Sequence, residues 1–168
     1  MDPAWSTSID EEGELAVIIG RACRNVPASE ALDCVFGYSI LNDLTARDRQ
    51  RMHTQWFLGK SHDGFAPMGP FIVTADEIPD PQRLRLQTRV NGELRQDAST
   101  SDMIFPVATI IETLTQVMTL EPGDIIATGT PSGVGQGFDP PRFLQDGDMV
   151  EVSIESIGKL ETRFSLAG

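Results

Sequence analysis

The chain is poor in the residues on which several large protein classes depend. Its two cysteines, Cys23 and Cys34, stand among apolar neighbours and form no C-x-x-C pair. That excludes a disulfide framework and leaves reduced, buried thiols. Its two histidines, His53 and His62, have no partner at metal-ligand spacing, so a zinc site of His and Cys is excluded. No apolar run approaches the roughly 18 residues that a membrane-spanning helix needs. Met1 to Glu12 holds neither a basic n-region nor an apolar stretch of signal length. These shortages predict a cytoplasmic protein that does not enter a membrane.

Positive charge is scarce as well. Thirteen basic residues face 25 acidic ones, for a formal net charge of −12. Between Arg95 and Arg142 there is no basic residue at all, while Asp97, Asp102, Glu112, Glu121, Asp124 and Asp139 fall inside. A phosphate-binding face needs clustered Lys and Arg, so nucleic acid is excluded as a partner. The bland reading of the surplus acid is solubility. The sharper one is that some carboxylates are held together by a divalent cation.

What is present is globular: 168 residues, 40% hydrophobic and 23% charged, enough for one ordinary domain. The apolar run within Glu14 to Gly20 predicts a strand. A helix is expected from Ser29 to about Phe36, a strand from Tyr38 to Leu44, and a short polar helical turn from Thr45 to Gln50. Gly59 to Pro70 reads as a loop, and Phe71 to Thr74 as a strand. Arg83 to Val90 alternates strictly, and Asn91-Gly92 then turns it into Glu93 to Gln96, the strongest hairpin signal in the chain. One long helix follows Pro106, with Val107, Ile110, Ile111, Leu114 and Val117 spaced by three and four. Asp124 to Thr128 and Met149 to Ile154 are further strands, the first followed by a Gly/Pro-rich loop from Gly129 to Pro141. Leu160 to Phe164 closes a last hairpin. The fold class is therefore mainly β with a few helices (α+β). Residues 1–11 form a lead-in segment, and 12–168 a single domain.

Two glycine motifs fail. Gly59-Lys60-Ser61 lacks the earlier glycine of a phosphate loop, since Thr54 occupies that position. Gly133, Gly135 and Gly137 miss the dinucleotide pattern, because Phe138 stands where its third glycine belongs. Glu12-Gly13-Glu14 is a better candidate. In extended chain, residues two apart face the same side, with Cα atoms about 6.6 Å apart. Two acids aimed at one point repel unless a cation sits between them. The alternative is a solvated acidic turn that Asp10 and Glu11 prolong. Asp43 interrupts an apolar strand and is either a third ligand or, like Asn42, a helix cap. Lys60 is one of only two lysines; it is either a required point charge or a surface residue.

Eight fragments, in order, carry a resemblance. They are Glu12-Gly-Glu-Leu-Ala-Val-Ile-Ile-Gly20, Asn42-Asp-Leu-Thr-Ala-Arg-Asp48, Gly59-Lys-Ser61, Pro67-Met-Gly-Pro70, Val90-Asn-Gly-Glu-Leu-Arg-Gln-Asp97, Thr100-Ser-Asp-Met-Ile104, Leu120-Glu-Pro-Gly-Asp124 and Ala127-Thr-Gly-Thr-Pro-Ser-Gly-Val134. Together, from about Asp10 to Phe164, they resemble the fumarylacetoacetate hydrolase family. The resemblance implies a mixed β-roll with a metal at its mouth. Glu12, Glu14 and Asp43 then match the carboxylate ligands of Mg²⁺, Mn²⁺ or Ca²⁺, an all-oxygen set that suits a hard cation. Lys60 matches the active-site lysine. Arg47 and Gln50 match polar residues lining the site, and Thr130 matches a threonine that contacts the substrate's carboxylate.

The function implied is metal-dependent hydrolysis of a C–C bond in an acylpyruvate or related 2-oxo or 1,3-dioxo acid, within aromatic catabolism, through a metal-stabilised enolate. Oxaloacetate-type decarboxylation, isomerisation of a dioxo acid and a catalytically deficient metal-binding homologue are the alternatives. A homodimer acting on a small-molecule oxo acid is also implied. Hydrolytic members carry a water-activating His-Glu pair several tens of residues before the Glu-x-Glu motif. Here eleven residues precede Glu12 and none is a histidine, so the chain is expected to be a fragment or a short form. His62, two residues from Lys60, is either a substitute base or, the reading preferred, a partly exposed loop histidine.

Overall fold

A computed structural model describes residues 4–52 and 54–166; His53 lies outside the described residues. Strand β1 (Ile9–Asp10) leads into β2 (Gly13–Ile19), whose seven residues are all buried. Burial on both faces is why this strand reads as a continuous apolar run instead of an alternation. A one-turn helix, α1 (Ala28–Ala31), and a 3₁₀ turn over Leu32–Cys34 return the chain into β3 (Val35–Asn42). The helix expected to reach Phe36 stops early because Val35 already pairs with Ile19. β3 likewise ends at Asn42, two residues before the strand expected there. β4 (Thr45–Ala46) and α2 (Arg47–Met52) divide the expected polar turn between them.

The segment read as a loop from Gly59 to Pro70 is loop only in its middle. Its start belongs to α3 (Phe57–Lys60) and its end to β5 (Met68–Thr74). Gly69, at φ 147°, pairs with Ile40 inside the sheet, so glycine serves the pairing there and does not end it. β6 (Arg85–Val90) and β7 (Glu93–Ser99) form the expected hairpin. Asn91 and Gly92 have φ of 51° and 83°, the left-handed pair that a tight hairpin turn requires. Among the described residues α4 (Val107–Val117) is the one long helix, followed by β8 (Ile125–Ala127), β9 (Met149–Ile154) and β10 (Gly158–Arg163).

Two four-stranded sheets result, ordered β5-β3-β2-β8 and β10-β9-β6-β7, with β1 and β4 as a separate pair. Every strand pair described is antiparallel. The alternating strands β6 and β9 turn Leu86, Val90, Val150, Val152 and Ile154 inward, where they join Leu15, Val17, Ile19, Tyr38 and Ile40 in one core. Val107 and Ile111 bring α4 onto the same cluster. Among the described residues, no helix is long and apolar enough to cross a membrane. For function, the decisive pairing is Gly13 opposite Asn42 and Glu14 opposite Leu41, which brings the start of β2 beside the end of β3.

Candidate metal centre

That pairing gathers three carboxylates. The Asp43 N–H donates to the Glu12 carbonyl (2.8 Å), and the Glu12 N–H donates to Asn42 Oδ1 (3.0 Å). Asn42 is thereby committed to β2 and does not cap a helix. Oxygens of Glu12, Glu14 and Asp43 lie within 4.8 Å of one another. Glu12 and Glu14 are buried and Asp43 is half-buried. Lys60, at the end of α3, places its Nζ 2.5 Å from Glu12 Oε2 and in contact with Asp43 Oδ2. Arg47 Nη2 holds the other Glu12 oxygen at 2.7 Å.

Glu14 has no such cationic partner among the described residues. Its Oε2 accepts from the Gly129 N–H (2.9 Å). Burial pushes its carboxyl up to about 7 against that bond, and the charges of Asp43 and Glu12 add to the rise. Asp43 is also raised, first by burial, with Lys60 opposing. Burial alone would lower the Lys60 ammonium, but its bonds to Asp43 and Glu12 outweigh that and raise it. The donor set fits a hard divalent cation: it is all oxygen, three carboxylates converge, and an ammonium already stands in as the cation of two.

The other residues singled out by sequence divide into two groups. Arg47 Nε donates to Asp10 Oδ2 (2.8 Å) and its Nη1 to Gln50 Oε1 (3.2 Å). With Glu12 as well, the guanidinium is bound through each of its three nitrogens and braces Glu12. Thr130 is brought to the same place by the loop after β8. Its hydroxyl donates to the Gly13 carbonyl (2.9 Å) and accepts from Gln96 Nε2 (2.7 Å). A hydroxyl has one proton, so here it is spent on the backbone between the two glutamates. His62 does not join the centre. Its ring packs on Trp5, with centroids 3.7 Å apart, and on Phe65 at 5.1 Å.

Sequence reasoning missed Asp10, Gln96 and Gly129. Asp10 and Glu11, read as the continuation of a solvated acidic turn, are fully buried. Asp10 accepts from the N–H groups of Gly135 (2.6 Å) and Gln136 (3.0 Å) in addition to Arg47. Glu11 is paired with Arg95 at 2.9 Å, and burial still lifts it to about 7. Gln96 carried the one available signal, a polar residue on the inward face of a hairpin strand. A cavity of about 580 Å³ is lined by Gly129 and Thr130 of the same loop but by none of the three carboxylates. Its other walls include Leu86, Met103, Ile104 and Phe105.

Residues 2–165 match the family model for the C-terminal region of fumarylacetoacetate (FAA) hydrolase. The chain belongs to the fumarylacetoacetate hydrolase family. Within that family it is 55% identical over 158 residues to oxaloacetate tautomerase YisK of Bacillus subtilis, an overlap of 94% of this chain and 52% of that protein. The fumarylacetoacetate hydrolase of psychrophilic Exiguobacterium antarcticum superposes with a TM-score of 0.95 at 53% identity, covering 98% of this chain and 59% of that one. The 2-hydroxyhepta-2,4-diene-1,7-dioate isomerase of Mycobacterium marinum does so at 0.89 and 47% identity, covering 97% and 61%. This chain thus spans about half the length of the curated relatives it matches. Fumarylacetoacetate hydrolase relatives with these names are enzymes, and their reactions differ: tautomerisation, hydrolysis and isomerisation.

Proposed function

We propose that this chain is the metal-binding catalytic core of an enzyme that interconverts the keto and enol forms of a small 2-oxo acid. The observation that carries the reading is the convergence of Glu12, Glu14 and Asp43 with Lys60 on two of them. A divalent cation held by those carboxylates, Mg²⁺ or Mn²⁺ by donor type, would polarise the keto oxygen and bear the charge of the enolate. Lys60 brings an ammonium to the same spot, where it can hydrogen-bond the developing oxyanion and carry a proton. Arg47 keeps Glu12 in place, and the Gly129 N–H does so for Glu14. The Thr130 hydroxyl donates to the Gly13 carbonyl at rest, so a substrate carboxylate would have to draw its proton away from Gly13.

Enolisation needs only a charge-stabilising centre and a proton carrier, both of which this chain supplies. Hydrolysis of an acylpyruvate C–C bond passes through the same enolate and needs an activated water besides. That second reading is favoured by the 0.95 superposition on the Exiguobacterium enzyme. The two are separated by incubating purified protein with Mg²⁺ or Mn²⁺ and following loss of enol absorbance from oxaloacetate beside pyruvate release from an acylpyruvate. Metal-dependent acceleration of the first, abolished by Asp43→Ala, is the expected result. Pyruvate release without enol turnover would favour hydrolysis, and neither activity would overturn the reading. The proposal includes a homodimer, which sedimentation checks.

A further inference from the structure

An amide buried in an apolar core must find partners for its donors and its acceptor, and those of Gln96 lie in other parts of the fold. Gln96 sits on β7, wholly buried, opposite Thr88 of β6. Its Oε1 accepts from the Gly13 N–H of β2 at 3.1 Å, across the gap between the two sheets. Its Nε2 donates to Thr130 Oγ1 (2.7 Å) and to the Pro131 carbonyl (2.8 Å) in the loop after β8. Thr130 Oγ1 in turn donates to the Gly13 carbonyl (2.9 Å). Both polar groups of Gly13, the residue between the two glutamates, are therefore held through the Gln96–Thr130 pair. A glycine backbone has the widest conformational freedom of any residue, and here none of it is left. The same loop presents the Gly129 N–H to Glu14, so an amide that ties down Pro131 and Thr130 also fixes the partner of the second carboxylate.

Resting on the metal-centre reading above, we infer that Gln96 is a positioning residue: it locks Glu12-Gly13-Glu14 to the Gly129–Pro131 loop, and so sets the affinity for the divalent cation. It touches none of the three carboxylates and acts only through Gly13 and the loop. Partners of this kind, one shell behind the ligands, typically change metal affinity 10- to 100-fold when removed. A purely structural role for the amide would lower the melting temperature and leave metal affinity alone.

The test is calorimetric titration of Mn²⁺ into wild type, Gln96→Met, Thr130→Val and the double variant, with circular dichroism to confirm folding. Gln96→Met keeps the length and removes every hydrogen bond, and about tenfold or greater weakening of Mn²⁺ binding is expected. Because both residues act on the same backbone, the losses should not multiply: the double variant should bind about as weakly as the worse single one. Gln96→Met binding Mn²⁺ within about twofold of wild type, or losses that multiply, overturns the inference. Should Gln96→Met fail to fold, Thr130→Val reads the same link from its other end, and unchanged binding there overturns it equally. Wild type that takes up no Mn²⁺ overturns the metal-centre reading and this inference with it. Binding by wild type and an unaltered Gln96→Met overturns this inference alone.

Discussion

Substituting Gly13→Ala tests whether the spacing of the two glutamates depends on close contact with the second sheet. A Cβ at Gly13 would lie 2.2 Å from Thr88 Oγ1, 2.9 Å from Val152 Cγ1 and 3.2 Å from Gln96 Oε1. The first of these is more than 1 Å inside ordinary contact. Thr88 cannot retreat, since β6 is held between β7 and β9. Overpacking of this kind costs about 1–3 kcal/mol, and with two clashes and a third tight contact we expect the upper half of that range. A melting temperature lower by roughly 6 °C follows for a chain of this size. Relief of the clash must push the start of β2 away from β6, carrying Glu12 and Glu14 apart from Asp43, and Mn²⁺ affinity should fall about tenfold. At a Mn²⁺ concentration 100 times the wild-type Kd, binding stabilises wild type by about 2.7 kcal/mol but the variant by only about 1.4. Thermal unfolding with and without Mn²⁺ reads both effects. Thr88 Oγ1 has no hydrogen-bond partner among the described residues, so Thr88→Ala gives up no bond, and adding it to Gly13→Ala should recover part of both losses. Wild-type melting and full Mn²⁺ stabilisation in Gly13→Ala would refute the reasoning.

Other perturbations address the charges directly. Glu14, raised to about 7 from 4.5, holds its proton more tightly folded than unfolded. Its contribution to stability is therefore complete below about pH 4.5 and is lost as pH rises to about 7, a change on the order of 3 kcal/mol. Metal-free protein should accordingly soften with rising pH across that window, and Glu14→Gln should flatten the dependence, leaving the part due to Glu11, which is shifted the same way. Mn²⁺ must displace the same proton, so its affinity should climb about tenfold per pH unit below about 7; a flat profile between pH 5.5 and 7 would contradict this. Lys60→Met removes the ammonium that occupies two ligand carboxylates, and calorimetry should find Mn²⁺ binding tighter while enol turnover drops at least 100-fold; weaker binding would mean that Lys60 does not compete with the cation. Asp43→Ala should abolish divalent-cation binding, and unchanged affinity would remove it from the ligand set.

What could be read from the sequence was what neighbours in the chain decide. The β2 apolar run, the Asn91-Gly92 turn and the three-four spacing of α4 are local signals, and all three elements form where those signals put them. The two-residue pitch of Glu12 and Glu14 is local too. Other features depend on pairings made far along the chain. The helix after Ala28 is cut short by pairing of Val35 with Ile19, and the apparent loop before Pro70 becomes strand because β3 is beside it. At the centre, the bonds from Gln96 to Gly13 and from Gly129 to Glu14 join residues 83 and 115 positions apart. No spacing rule reaches that far. Arg47 reaches the centre through Glu12, and its further bonds to Asp10 and Gln50 depend on Asp10 being buried and not solvated.

The acidity that marks the composition takes a specific form at this place. Five carboxylates, those of Asp10, Glu11, Glu12, Glu14 and Asp43, are packed into the region where β1, β2 and β3 meet. Three cationic side chains answer them: Arg47 on Asp10 and Glu12, Arg95 on Glu11, and Lys60 on Glu12 and Asp43. With all five acids ionised, two negative charges are left over, which is the charge of one divalent cation. Glu14 is the member without a cationic partner among the described residues, and it lies among the oxygens that converge within 4.8 Å. Burying uncompensated charge is costly, and a group in that position takes up a proton unless an ion arrives. The upward shift of Glu14 is that cost expressed as a proton. One Mn²⁺ should therefore bind per chain above about pH 7, with Glu14→Gln lowering affinity without changing the stoichiometry; two equivalents bound per chain would show that the charge count does not define the site.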